Sequence, residues 1–159
     1  MNVESSQNLE NFRPMVENDL ENVLYIENTV YDFPWSQTIF FDCLQVEHSC
    51  WVLLNKKADI DAYGVMSVNS EEGHILNLCV HPQAQGMGIG KNFLHYFLGI
   101  AKQAKVDTVF LEVRPSNNVA RLLYANSGFN EIGLRRDYYP ARNGREDAII
   151  MAYALQDCN

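Results

Sequence analysis

Gln85-Gly86-Met87-Gly88-Ile89-Gly90-Lys91 marks the place where the chain changes periodicity. Before it, His74-Ile75-Leu76-Asn77-Leu78-Cys79-Val80 reads as an apolar strand, which His81-Pro82 ends by fixing φ and removing a ladder donor. After it, Ile89, Phe93, Tyr96, Phe97 and Ile100 recur at helical spacing, and Ala101 and Ala104 continue the face. A strand-turn-helix with three glycines in its turn leaves successive N–H groups unpaired and lets a ligand approach the backbone. Such a turn suits an anion, phosphate above all. Glycine turns before helices also serve as plain packing devices, so the context must separate the two readings. A phosphate loop of the Gly-Lys-Ser/Thr type is excluded because Asn92 follows Lys91. A dinucleotide fingerprint is excluded by the Gly86-x-Gly88-x-Gly90 spacing and by the lack of an acidic residue closing a second strand.

The 159 residues fit one domain with a sizeable core. Residues 1–10 are expected to be a flexible lead-in, 11–155 the domain and 156–159 a tail. The polar start lacks a basic segment followed by an apolar one, and no apolar run reaches membrane-spanning length, so a cytoplasmic protein with no membrane partner is expected. Cys43, Cys50, Cys79 and Cys158 show no C-x-x-C spacing, and His48, His74, His81 and His95 are scattered, which points to free thiols and no metal. A net charge of −8 argues against nucleic-acid or anionic-membrane binding and suits a cationic partner, although a solvated acidic surface is the commoner explanation. A monomer or weak dimer is expected.

Along the chain, Asn11–Met15 reads as a short strand confined to an edge by Pro14, and Asn18-Asp19 as the cap of a helix to about Thr29. Phe33-Pro34-Trp35-Ser36 interrupts the helix, and Ser36 caps a second one to about Val46. Phe33 and Trp35 either border a binding groove or fill core. Ser49–Leu54 and Ile60–Val68 read as a hairpin that leads into the strand at 74–80. Thr108–Val113 is a strand, and the connection to it from 74–80 is long enough for a right-handed crossover, which makes these two strands parallel. Ser116/Asn117 caps a helix ending at Gly128. Strands at about Phe129–Arg136 and Asp147–Ala154 flank a loop from Tyr138 to Glu146. The fold class is α/β, with a mixed central sheet, one parallel pair and flanking helices.

Alternation places Val109, Leu111 and Val113 on one face of their strand and Phe110 and Glu112 on the other. Glu112 is either a base or a strand carboxylate paired with Arg114 or facing water. Tyr124 stands on a helix whose Ala120 and Leu123 face inward, and by itself reads as a core tyrosine. Cys79 offers a nucleophile, but no neighbouring His activates it and an apolar strand Cys is usually packing.

Gln85, Gly88 and Gly90 match the Gln/Arg-x-x-Gly-x-Gly/Ala signature of the GNAT superfamily of N-acetyltransferases, which the chain resembles over residues 11–155. The resemblance extends to Leu111-Glu112-Val113-Arg114, to Asn117-x-x-Ala120 with Leu123-Tyr124 and Gly128-Phe129, to Phe33-Pro34-Trp35-Ser36, and to the segments 135–140 and 143–151. The Asn117 to Phe129 pattern is the last motif of the superfamily, and the other segments resemble its ribosomal-protein-alanine branch.

The resemblance implies a parallel pair splayed around acetyl-CoA. It assigns the pyrophosphate to Gln85, Gly86, Met87, Gly88, Ile89, Gly90 and Lys91, and further cofactor contacts to Leu78, Cys79, Val80, Asn117 and Tyr124. It makes Glu112 the general base and Tyr124 the acid that protonates the leaving thiolate. Phe33, Trp35, Tyr138 and Tyr139 would line a groove for the N-terminus of a basic ribosomal protein that begins with alanine. One departure stands out: Pro82-Gln83-Ala84 and Gly86 lack the aromatic and basic residues usual there, which bears on acetyl-CoA affinity. Alternative readings are acetylation of a lysine side chain or polyamine, and a CoA-binding module without turnover.

Overall fold

The computed structural model describes residues 11–155, so the expectations for 1–10 and 156–159 lie outside it. The chain forms two compact units, and it passes from one to the other at three places, twice within a strand and once within a helix. The first holds the residues up to Ser67 and Asn77–Phe97, the second Val68–Leu76 and the residues from Leu98 onward.

In the first unit, β1 (Phe12–Pro14) pairs antiparallel with β2 (Ser49–Leu54), and β2 with β3 (Ile60–Val68). Pro14 is tolerated because β1 is an edge strand, where a missing N–H costs no ladder bond. α1 (Leu20–Val30) turns Leu20, Val23, Ile26 and Glu27 inward at helical spacing. Asp19 is not its side-chain cap. It ends a 3₁₀ turn, where its carboxylate takes Arg13 at 2.7 and 2.8 Å and the Val16 N–H at 2.8 Å. A bidentate guanidinium is the stronger partner for that carboxylate, so the cap expected here is spent on tying β1 to the helix start. Ser36 does cap α2 (Gln37–Gln45), accepting from the Ile39 N–H at 3.3 Å.

The first unit buries Phe40, Val52, Tyr63, Val65, Met66, Phe93 and Phe97. Gly64 is required there: a Cβ would lie 2.6 Å from the Phe97 ring and 2.8 Å from that of Phe93. The one buried carboxylate among the described residues away from an arginine is Glu27, 1 % exposed. It accepts from Tyr63 Oη at 3.1 Å, Asn77 Nδ2 at 2.8 Å and the Trp35 backbone.

In the second unit the strand order is β4-β5-β7-β6. β4 (Glu72–Val80), whose second half belongs to the first unit, runs parallel to β5 (Thr108–Val113) from Glu72 opposite Thr108 to Ile75 opposite Leu111. β5 pairs antiparallel with β7 (Gly144–Ala154), which pairs antiparallel with β6 (Asn130–Ala141). The sheet is therefore mixed, with the expected parallel pair. α3 (Ile89–Gln103) connects that pair, and α4 (Asn118–Asn126) follows β5.

The expected loop from Tyr138 to Glu146 is instead the end of a long hairpin, so Tyr138 and Tyr139 are strand residues. Only Arg142 and Asn143 connect Ala141 to Gly144. The hairpin was hidden because the register shifts between Arg135 and Tyr139, where Asp137 adopts a left-handed φ of 52° and alternation breaks. Arg145 holds the bulge by donating to the Asp137 and Tyr138 carbonyls at 2.7 and 3.0 Å. Pro140 fits because β6 is an edge strand.

Candidate active site

The glycine turn lies wholly in the first unit. Leu78, Cys79 and Val80 end β4, and a 3₁₀ turn at Pro82–Ala84 follows, capped by His81 Nδ1 accepting from the Gln83 N–H at 3.1 Å. Gln85 reaches back to donate to the Val80 carbonyl at 3.1 Å, which closes the turn between strand and helix. Gly86 and Gly88 have φ of 78° and 79°, a region L side chains rarely adopt, and a Cβ on either would meet nothing within 4 Å. Met87 is 71 % exposed. The first helical bond is from the Asn92 N–H to the Gly88 carbonyl at 3.1 Å, so helix geometry aims the N–H groups of Ile89, Gly90 and Lys91 along the axis toward the turn. A glycine backbone with open space on it and a fifteen-residue helix dipole behind it fits a pyrophosphate. Gly88→Val is expected to weaken acetyl-CoA binding about tenfold or more, since it strains the backbone at positive φ and fills the open space. Calorimetric titration checks this, and an unchanged affinity would remove the turn from the binding site.

Further residues of this unit bear on the expected site. Tyr31 donates to the Leu78 carbonyl at 3.2 Å. Trp35 is half-buried, its ring 5.2 Å from Phe40 and packed on the core, whereas Phe33 is 42 % exposed. Burial pushes the Cys79 thiol up to about 11, against a weaker opposing effect from Tyr63. A neutral buried thiol is a poor nucleophile.

The second unit carries the carboxylate. Alternation holds along β5, with Val109, Leu111 and Val113 buried and Glu112 on the other face. Arg114 is not the partner of Glu112: it binds the Pro140 carbonyl at 2.8 Å and Glu146 at 3.3 Å, and its guanidinium lies 4.4 Å from the Tyr139 ring centre. Glu112 instead meets His74 Nε2 at 3.0 Å through Oε2 and Arg135 Nε at 3.7 Å through Oε1. The His74 hydrogen bond, with smaller contributions from the charges of His74 and Arg135, outweighs burial and holds its carboxyl below the usual range. Glu112 is thus ionised at neutral pH.

Asn117 caps α4, its Oδ1 accepting from the Ala120 N–H at 3.2 Å, which leaves the amide nitrogen for other contacts. Tyr124 is 8 % exposed, with its ring 5.9 Å from Phe129. Tyr139 is held well above the ordinary phenol value by burial first, then by Glu112, which places these two side chains in one neighbourhood. Tyr138 is 43 % exposed beneath Arg135, 5.5 Å from the ring centre. His74 and Arg135 were not among the expected site residues. The available signal for His74 was the parallel register, which sets it opposite Phe110, one step along the same face from Glu112. Among the described residues no cluster of His, Cys, Asp and Glu suits a metal, and no helix is long and apolar enough to cross a membrane.

A parallel strand pair connected through a glycine turn and a helix is the arrangement of an N-acetyltransferase fold. Residues 17–129 match the model of the acetyltransferase (GNAT) family. The chain belongs to that family. It is 38% identical over 137 residues, 86% of this chain and 92% of the relative, to the [ribosomal protein bS18]-alanine N-acetyltransferase of Escherichia coli K12. The corresponding enzyme of Haemophilus influenzae is 36% identical over 141 residues, 86% and 93% of the two chains. Among solved structures, the ribosomal-protein-S18-alanine N-acetyltransferase from Escherichia coli superposes with a TM-score of 0.85 at 33% identity over 93% of this chain and 95% of that one.

Proposed function

We propose that this protein acetylates the N-terminal alanine of a small-subunit ribosomal protein of the S18 kind, with acetyl-CoA as acetyl donor. The observation that carries the reading is similarity along nearly the whole of both chains to enzymes named for that reaction. The net charge of −8 agrees with a basic protein tail as acceptor.

Acetyl-CoA supplies an activated acetyl group, and the chain's own residues manage position and protons. Gln85, Gly86, Gly88 and the first turn of α3 hold the pyrophosphate, with the Asn117 amide as a further contact. An α-amino group has a pKa of about 8, so at neutral pH most of it must lose a proton before it can attack. Glu112, ionised and oriented, takes that proton directly or through one water. A backbone N–H at Cys79–Val80 faces the developing oxyanion. The Tyr124 hydroxyl gives its proton to the departing sulfur. The raised Cys79 thiol supports direct transfer over an acyl-cysteine route. Phe33 and Trp35 in the first unit are candidate aromatic contacts for the peptide, and so, taken separately, are Tyr138 and Tyr139 in the second.

The test is acetyl transfer to matched peptides that begin with Ala, Leu or Glu and continue with basic residues, compared with spermidine and an internal-lysine peptide. The Ala-start peptide is expected to lead by about tenfold or more, with kcat/KM falling as salt screens its basic residues. Faster acetylation of spermidine or of the internal lysine would overturn the substrate assignment.

A further inference from the structure

We propose that His74 is the positioning residue of the base, fixing the Glu112 carboxylate so that one oxygen is committed to the imidazole and the other is presented to the reacting amine. The inference rests on the reading of Glu112 as base.

The two oxygens of Glu112 are held unequally. At 3.0 Å, Nε2 of His74 is within hydrogen-bond distance of Oε2, whereas Arg135 Nε at 3.7 Å from Oε1 is beyond it and contributes charge without fixing direction. Oε1 therefore keeps its lone pairs available for a proton. The scaffold under the pair is stiff. His74 sits opposite Phe110 in the parallel register, Glu112 opposite Ile150 in the antiparallel one, and neither depends on a loop. The pair is also shielded, with side-chain exposures of 29% for His74 and 13% for Glu112, while Arg135 at 54% is largely screened by water. Among the described residues, the charged or titratable groups paired with Glu112 or coupled to its charge are His74 from β4 and Arg135 and Tyr139 from β6, and its β7 neighbour Ile150 is apolar. Of these, only His74 combines hydrogen-bond distance with a fixed strand position. Without it, burial would push the Glu112 carboxyl upward and leave the side chain to rotate.

The experiment measures kcat/KM against pH with an Ala-start peptide for the parent, His74→Leu, His74→Gln and Glu112→Gln, together with acetyl-CoA affinity by calorimetry. His74→Leu is expected to lose about tenfold in kcat/KM at neutral pH and to shift the limb set by Glu112 upward by about one pH unit. His74→Gln, whose amide still donates, should recover most of the loss, and acetyl-CoA affinity should stay within about twofold throughout. A His74→Leu profile that superimposes on the parent's would overturn the proposal. So would a uniform loss that Gln does not rescue, because that marks a purely structural role. Parent-like turnover by Glu112→Gln would instead remove the base assignment itself, whatever the His74 variants do.

Discussion

Glu112→Gln is expected to lower kcat/KM by roughly 10²–10⁴-fold at neutral pH while leaving acetyl-CoA binding nearly intact. The amide keeps the volume and can still bond His74, so the fold should tolerate it, but it cannot accept a proton from the amine. Because Glu112 is held below the usual carboxylate range by His74, its carboxylate is ionised across the neutral range in the parent. Activity there should rise with pH only as the substrate's ammonium, with pKa about 8, gives way to free amine. The variant should follow the same rise from a much lower start and recover part of its loss above that pH. A pH–rate profile and turnover indistinguishable from the parent's would assign Glu112 to structure alone.

The largest effect on stability is expected from Glu27→Ala, at about 3–5 kcal/mol, because it opens a cavity and strands buried donors at once. The carboxylate is 1 % exposed and accepts from Tyr63, Asn77 and the Trp35 backbone, and of these donors Tyr63 is itself fully buried. For a chain of this size about 2–4 °C of Tm accompanies each kcal/mol, so thermal unfolding should begin roughly 10 °C lower. A loss under about 1 kcal/mol would show that the cluster is easily rehydrated. The pH dependence has a definite sign. Burial raises the Glu27 carboxyl above its ordinary value, and hydrogen bonds from Asn77, Tyr63 and the Trp35 backbone offset that only in part. The folded protein therefore binds this proton more tightly than the unfolded chain. Its contribution is complete below the ordinary carboxyl value and is lost as pH rises through the raised one. Glu27→Gln should flatten that slope.

Elements whose periodicity is unbroken were legible from sequence. β2, β3 and β5 fall within the expected bounds, α3 begins inside the glycine turn, and Ser36 and Asn117 cap their helices. Where a side chain has two competing partners, local rules failed. Asp19 reads as a helix cap but binds Arg13, and Arg114 stands two residues from Glu112 but goes to Glu146. The turn end of the β6–β7 hairpin reads as a loop because Pro140 and the left-handed Asp137 break the strand pattern, although an edge strand accommodates both. The environment of Glu112 was legible only in its burial phase. His74 lies 38 positions away and reaches it through strand register, which a single sequence states weakly.

The thiols of the first unit have a use in measurement. Cys43, Cys50 and Cys79 are all buried, and burial drives Cys50 up to about 12 and Cys79 up to about 11. Alkylating reagents attack the thiolate, so these three sulfurs are silent while that unit stays closed. They become a built-in clock. The rate at which they are labelled in dilute buffer counts opening events of the helices and strands that cover them. Mass spectrometry of the labelled peptides would then resolve whether α2, β2 and β4 open together or one at a time, with the enzyme unaltered.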